Sequence, residues 1–200
     1  MNVQIMFPVS LFTADADAGL REATRAKLGA WLSGDEARRD LVAAPLESYL
    51  STAASGRSVI EAAALTELGQ MITQAATQFL QWYGVDGAQA TISRSWVDVY
   101  EPGMQQNEHA HEGQVLTAVY YVEAPEGCGD LVFQDPVAAR RAHRAFVGTN
   151  APTPQSAQQM NFSPVEGRLM IFESWLPHAV SGNRSQGRRV ALVADLRRSR

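Results

Sequence analysis

A chain of 200 residues, 46% of them hydrophobic and 19% charged, can enclose a core of ordinary size in one domain. Its formal net charge of −4 gives no global basic field and argues against a nucleic-acid or anionic-membrane partner. A single cysteine, Cys128 in the turn-like PEGCGD, excludes an internal disulfide and a cysteine-built zinc site, and no run approaches the ~20 apolar residues that a membrane span needs.

The opening MNVQIMFPVSLF is short, weakly apolar and without a basic start, so it does not read as a secretory leader; a cytoplasmic location is expected. From about Ala14 to Leu32, the residues Leu20, Leu28 and Trp31 share one helical face, with Thr24 as its polar interruption. Acidic residues sit near the start of that segment and Gly34 follows its end. A polar stretch then runs to about Ser58 and is expected to hold a short extended piece around LESYLS. Ser58 and Glu61 have the spacing of a capping box and announce a second helix. Its apolar stripe is Leu65, Leu68, Ile72, Ala75, Phe79 and Tyr83, and Gly84 stands where a C-terminal cap glycine belongs.

After Gly84 the apolar period changes from 3.6 to 2. QATISRSWVDVYE, GQVLTAVYYVEA, GDLVFQD, QMNFSPV, GRLMIFES and RRVALVADL are short runs rich in β-branched and aromatic residues, broken by Gly, Pro, Asn and Asp. Such a set suits a sandwich or barrel with the helices packed on one outer face. The least regular stretch, Asp135 to Gln159, is too long for an ordinary connection. Its Arg140, Arg141 and Arg144 either recruit an acidic or phosphate-bearing substrate or form a solvated basic segment around His143.

Three of the four histidines carry the chemistry. His109 and His111, two apart on an extended strand, project to one side. Alone they also suit a polar strand end. His178 follows the apolar GRLMIFESWLP, where a core histidine bonded to a backbone carbonyl is the competing reading. Together the three imidazoles can close a facial triad around an iron-sized ion, leaving open positions for an oxygenase's 2-oxo acid and dioxygen. A 2-oxo acid with a distal carboxylate needs a fixed cation, and the planar fork of Arg matches it. Arg189 shares a strand face with Ala191 and Val193, eleven positions beyond His178, while Arg188 faces the opposite side. Trp96, Tyr100 and Trp175 either line a substrate mouth or belong to the core.

Several ordered motifs extend this picture: FPVSLF at Phe7 to Phe12, SWVDVYEPG at Ser95 to Gly103, HAH at His109 to His111, LTAVYYV at Leu116 to Val122, GDLVFQDP at Gly129 to Pro136, and SPVEGRLMIFESWLPHAVSGN at Ser163 to Asn183. In this order, over nearly the whole chain, they make the sequence resemble the 2-oxoglutarate/Fe(II)-dependent oxygenases, and among them a family of about this length found in bacteria and phages. The resemblance implies an α+β fold, a double-stranded β-helix (jelly roll) with N-terminal helices packed on one face. It implies one domain over 1–200, with 1–84 mostly helical and 85–200 the jelly-roll core interrupted by a long loop at about 135–160. His109 then takes the place of the first iron ligand, His178 that of the distal one, and His111 stands where the wider superfamily has Asp or Glu. Arg189 takes the place of the arginine that binds the distal carboxylate of 2-oxoglutarate. Tyr121, on one strand face with Thr117, occupies a place from which prolyl-hydroxylase-like relatives bond the same carboxylate.

The sequence departs from the family at Glu112, commonly Pro, at LTA for LSG, and at Asp195, where an Asn often ends the final strand. Glu112 through a bulge, or Asp130 or Glu173, could supply the carboxylate that the triad lacks. The resemblance implies an enzyme with Fe(II), 2-oxoglutarate and dioxygen that oxidises a small-molecule or peptide substrate. No nucleic acid and no membrane are expected as partners, and a homo-oligomer is compatible with the chain. The alternatives are a non-oxygenase, cupin-like isomerase or small-ligand sensor carrying Zn or Ni, and an inactive relative serving as an interaction domain.

Overall fold

The computed structural model describes residues 9–44, 49–137 and 157–199. Outside them lie the FP of FPVSLF, the first part of LESYLS, and Arg140, Arg141, His143 and Arg144 of the basic stretch.

Strict alternation along four long strands decides the architecture. They are β4 (Gln89–Tyr100), β6 (Leu116–Glu123), β9 (Arg168–Glu173) and β11 (Arg189–Ser199). These strands form the centre of a seven-stranded antiparallel sheet that also takes in β1 (Phe12–Asp15), β2 (Val42–Ala43) and β3 (Leu50–Ser51), in the order β1-β9-β6-β11-β4-β3-β2. Because successive side chains leave opposite faces of a strand, Val97, Val99, Ala118, Tyr120, Leu169, Ile171, Val190 and Leu192 all point to one side. There they pack on the helices α1 (Ala18–Leu32) and α4 (Thr66–Trp82), whose Leu28, Leu68, Ile72, Ala76 and Phe79 complete an aliphatic core. The intervening residues Trp96, Val119, Tyr121, Met170, Phe172, Ala191 and Val193 point to the other side. They meet Leu131 and Phe133 of a four-stranded sheet, ordered β5-β10-β7-β8 and built from β5 (Gln106–His109), β7 (Leu131–Gln134), β8 (Gln159–Phe162) and β10 (His178–Val180). Two facing antiparallel sheets with helices on one outer face are the expected jelly roll.

Local differences from the sequence expectation have physical causes. The second helix is broken in two: Ala64, whose φ of 52° is left-handed, separates α3 (Val59–Ala62) from α4. The capping box is not made, because the Ser58 hydroxyl turns to the Ser95 hydroxyl at 3.2 Å instead of capping. Gly84, with φ of 75°, does terminate the helix as expected. The polar stretch after Gly34 contains a short helix, α2 (Asp35–Asp40), with acids in its first turn and arginines in its last. β1 was hidden in the sequence and is an edge strand along β9, while the apolar run ending at Glu173 does not continue to His178. A turn intervenes, and His178 opens a strand of the smaller sheet. Among the described residues no helix is long and apolar enough to cross a membrane.

Candidate metal centre

The smaller sheet brings two histidines face to face. His109 ends β5, and the antiparallel register sets it directly across from His178 at the start of β10. Their rings lie 4.3 Å apart between centroids. His111 is past the end of β5, not on a continuing strand, and a different device holds it: its backbone N–H donates to the Ser174 carbonyl at 2.9 Å. One candidate ligand atom from each of His109, His111 and His178 falls within 4.8 Å of the others, and no carboxylate joins this group among the described residues.

Each ring is fixed through Nδ1. That of His109 faces the Asn107 carbonyl at 2.9 Å, that of His178 the Leu176 carbonyl at 2.9 Å, and that of His111 the Asp195 carboxylate at 2.6 Å. An acceptor at Nδ1 places the proton there and leaves Nε2 as the unprotonated nitrogen, the state a metal requires; Nε2 of His109 also has the Gln106 amide 3.3 Å away. Burial, with His109 close by, pushes His178 down to about 3, so this imidazole is neutral throughout the working range. Three imidazole donors with open space beside them fit a divalent transition metal such as Fe(II).

These rings open on a cavity of about 210 Å³, whose other walls include Trp96, Asp98, Tyr100, Arg189 and Val193. Arg189 is fully buried, and its guanidinium lies 5.0 Å from the Tyr100 ring and 5.1 Å from the Tyr121 ring. Its Nη1 reaches the Gly129 carbonyl at 3.5 Å and its Nε has no partner, so no acid neutralises it at ion-pair distance among the described residues. Gly129 is required here: at φ 92° it passes so close to the next strand that a Cβ would sit 2.1 Å from the Ser181 carbonyl oxygen. The neighbouring Arg188 points outward and pairs with Glu123 through two bonds of 3.0 and 2.9 Å. Of the two arginines, Arg189 is the inward one.

The remaining expected residues are placed as follows. Tyr121 is buried with its ring against Arg189, its hydroxyl donating to the Met170 sulfur at 3.7 Å. Thr117 is not in the cavity lining; its hydroxyl is 2.8 Å from that of Ser174 and donates to Asp195 at 3.1 Å, which places it behind His111. Glu173 accepts from the Tyr83 hydroxyl and Asp130 from Ser163, so neither acid turns to the triad. Glu112 lines the cavity without joining the ligand group. Trp96 and Tyr100 are buried walls, whereas Trp175 is half exposed. Two acids were not singled out as inward-facing. Asp98 is buried with Oδ1 unpartnered and Oδ2 accepting from the Trp96 indole at 3.2 Å, and burial pushes its carboxyl up to about 6. Asp195 is fully buried; burial alone would raise it, but the bonds from His111 and Arg94 hold it below the usual carboxylate range. Strand parity was the available signal, since Asp98 falls with Trp96 and Tyr100, and Asp195 with Ala191 and Val193.

The family model described as "Putative 2OG-Fe(II) oxygenase" matches residues 94–195, a span that holds all three histidines, Arg189 and Asp195. No curated protein sequence matches the chain. Among solved structures, the non-heme α-ketoglutarate-dependent epimerase SnoN from nogalamycin biosynthesis aligns with TM-score 0.66 at 12% identity, covering 94% of this chain and 76% of that one. A Pseudomonas putida prolyl-4-hydroxylase aligns with TM-score 0.59 at 17% identity, over 94% and 93% of the two chains. EctD from S. alaskensis gives 0.64 at 13% identity, over 94% and 73%. At these identities the structural likeness speaks for the jelly-roll fold.

Proposed function

The chain belongs to the 2OG-Fe(II) oxygenase family, and from that premise we propose that His109, His111 and His178 hold the iron while Arg189 takes the distal carboxylate of 2-oxoglutarate. It is an enzyme that uses Fe(II), 2-oxoglutarate and dioxygen and couples oxidative decarboxylation of 2-oxoglutarate to oxidation of a second substrate. The bound iron supplies the oxidative chemistry; the protein's part is positioning and the exclusion of water.

The observation that carries the assignment of residues is their shared cavity: three imidazoles, each held through Nδ1, and one buried guanidinium without an acid at ion-pair distance line the same space of about 210 Å³. An unpaired buried cation is costly unless a ligand neutralises it, and a dicarboxylate anchored at the metal would bring its second carboxylate to that cation. Tyr100 and Tyr121 flank the guanidinium. The Gln106 amide, 2.8 Å from the Tyr49 hydroxyl and 3.3 Å from His109 Nε2, ties the tyrosine side of the cavity to the triad. Trp96, Leu131, Val119 and Val193 supply apolar wall that keeps water out. A space this narrow admits only the reacting part of a small-molecule or peptide substrate. Family membership favours this reading over a zinc or nickel cupin-like isomerase or sensor.

Anaerobic addition of Fe(II) and then 2-oxoglutarate to the metal-free protein tests the assignment. The wild type should develop a visible charge-transfer band, and His178→Ala should give neither band nor retained iron. Full iron content in that variant would remove His178 from the ligand set.

A further inference from the structure

We propose that Asp195 is the acid of this metal centre, acting through His111 instead of binding the ion. The proposal rests on the reading of His111 as a ligand. The three imidazoles are not held alike: His109 and His178 donate Nδ1–H to neutral backbone carbonyls, whereas His111 donates to a carboxylate. That carboxylate has no contact with solvent, and its 2.6 Å bond is the shortest of the three. Charge-assisted bonds of this kind are the strong ones, and an anion behind a ligand imidazole orients the ring and makes its other nitrogen a better donor. The negative charge missing from the ligand set is therefore present one residue further out.

Everything around Asp195 serves to hold it there. Oδ1 also accepts from the Thr117 hydroxyl at 3.1 Å, and that hydroxyl contacts Ser174, whose carbonyl fixes the backbone of His111. Ring and main chain of His111 are thus anchored from the same place. Oδ2 accepts from Arg94 Nε at 2.6 Å. Arg94 can reach it because the β4–β11 pairing slips between Asp195↔Arg94 and Leu196↔Ile92. The extra residue, Ser93, leaves Ile92 packed on the helical side and turns Arg94 towards the interior face. The Arg94 guanidinium also covers the Trp96 ring, which stacks on His111. Being more than half exposed, Arg94 offsets only part of the charge that Asp195 presents to His111. Asp195 is a positioning residue in this scheme, and Arg94 tunes it.

The test moves the charge between the two positions and reads metal affinity, with Co(II) as a spectroscopic stand-in titrated into metal-free protein and far-UV circular dichroism confirming the fold. Asp195→Asn should weaken metal binding roughly tenfold to a hundredfold, the usual consequence of losing an outer acid. His111→Asp alone should bind more weakly still, because two buried carboxylates would then face each other. The double variant, His111→Asp with Asp195→Asn, should regain at least about tenfold over His111→Asp, since it returns one carboxylate to the site at the ligand position. A purely structural Asp195 would make the double variant worse than either single one. Wild-type affinity in Asp195→Asn, or no recovery in the double variant, would overturn the proposal. If Asp195→Asn does not fold, Arg94→Gln carries the test: binding should tighten severalfold, and a loss of affinity would count against Asp195. His178→Ala separates the two readings. If it keeps its metal, the histidine triad itself falls; if it loses metal while Asp195→Asn is harmless, only this inference falls.

Discussion

The two faces of the seven-stranded sheet use the same strands for opposite ends. Towards the helices, Val190, Leu192, Ala194 and Leu196 of β11 meet Leu68, Ile72 and Phe79 in a core without a charged group. One residue away on the same strand, Arg189 and Asp195 face the smaller sheet, alongside Asp98 and His111 from other segments. Burial is equally deep on both sides; ionisable character is not. The helical side leaves two neutral groups without a partner, the Trp31 indole N–H and the Tyr120 hydroxyl, whereas the inner face leaves ionisable ones, Arg189 Nε and Asp98 Oδ1, beside the three imidazoles. Such unmet polar groups are expensive in a core that only has to fold. The ionisable ones, Arg189 and Asp98, lie together on the inner face, around the cavity proposed to bind.

The contrast breaks most completely at His178. His178→Ala should reduce retained iron and succinate formation to background while the metal-free protein keeps its circular dichroism, because the ring serves the ligand and not the core. On the other face, Leu192→Ala should do the reverse. It deletes a fully buried side chain at the centre of the sheet, at roughly 3–5 kcal/mol of stability by chemical denaturation, yet the surviving folded protein should bind iron as the wild type does. If Leu192→Ala changed iron affinity tenfold, the two faces would not be separable.

Much of this division was legible in the sequence. SWVDVY, LTAVYYV and RRVALVADL alternate so regularly that parity alone assigns their faces, and all six runs expected as strands are strands. The grouping of the three histidines was legible from HAH and from His178 after GRLMIFES, and the inward face of Arg189 from strand parity. What stayed hidden has a common cause. β5 (QNEH) and β10 (HAV) are too short or too polar to show a period, although they set His109 opposite His178. The Ser58–Glu61 box was a false signal, because Ser95 from a strand 37 positions away competes for the hydroxyl. The bond from His111 to Asp195 spans 84 positions and depends on which way the end of the last strand faces. Asp195 stood out only as a departure from the family's Asn, with no local cue to its partner.

Asp98 sharpens the comparison through pH. Its carboxyl is raised by burial from 3.8 to about 6. Between those values the unfolded chain has released the proton and the folded one keeps it, so the unfolded state binds fewer protons and stability falls as pH rises. A shift of about two units corresponds to about 3 kcal/mol. Metal-free protein should therefore lose up to that much stability from pH 4 to pH 6.5 through this group, and Asp98→Asn should flatten the slope. An unchanged slope in the variant would assign the loss to another group.

The finest division lies between adjacent residues. Arg188 and Arg189 differ by one position and by a change of face: the first is part-exposed against Glu123, the second buried between two tyrosine rings. An exposed ion pair is worth at most about 1 kcal/mol, so Arg188→Met should leave 2-oxoglutarate affinity within about twofold of wild type. Arg189→Met keeps the volume and removes a charge-assisted contact to the carboxylate, worth roughly 1.5–3 kcal/mol; the dissociation constant for 2-oxoglutarate should rise tenfold to a hundredfold. Metal-free Arg189→Met should melt no earlier than wild type, because a buried cation without an acid at ion-pair distance has been removed. Isothermal titration and thermal melts of the two variants, measured side by side, decide the matter. Equal losses of affinity would show that the inward guanidinium is a packing element, and that the inner face differs from the helical one only in composition.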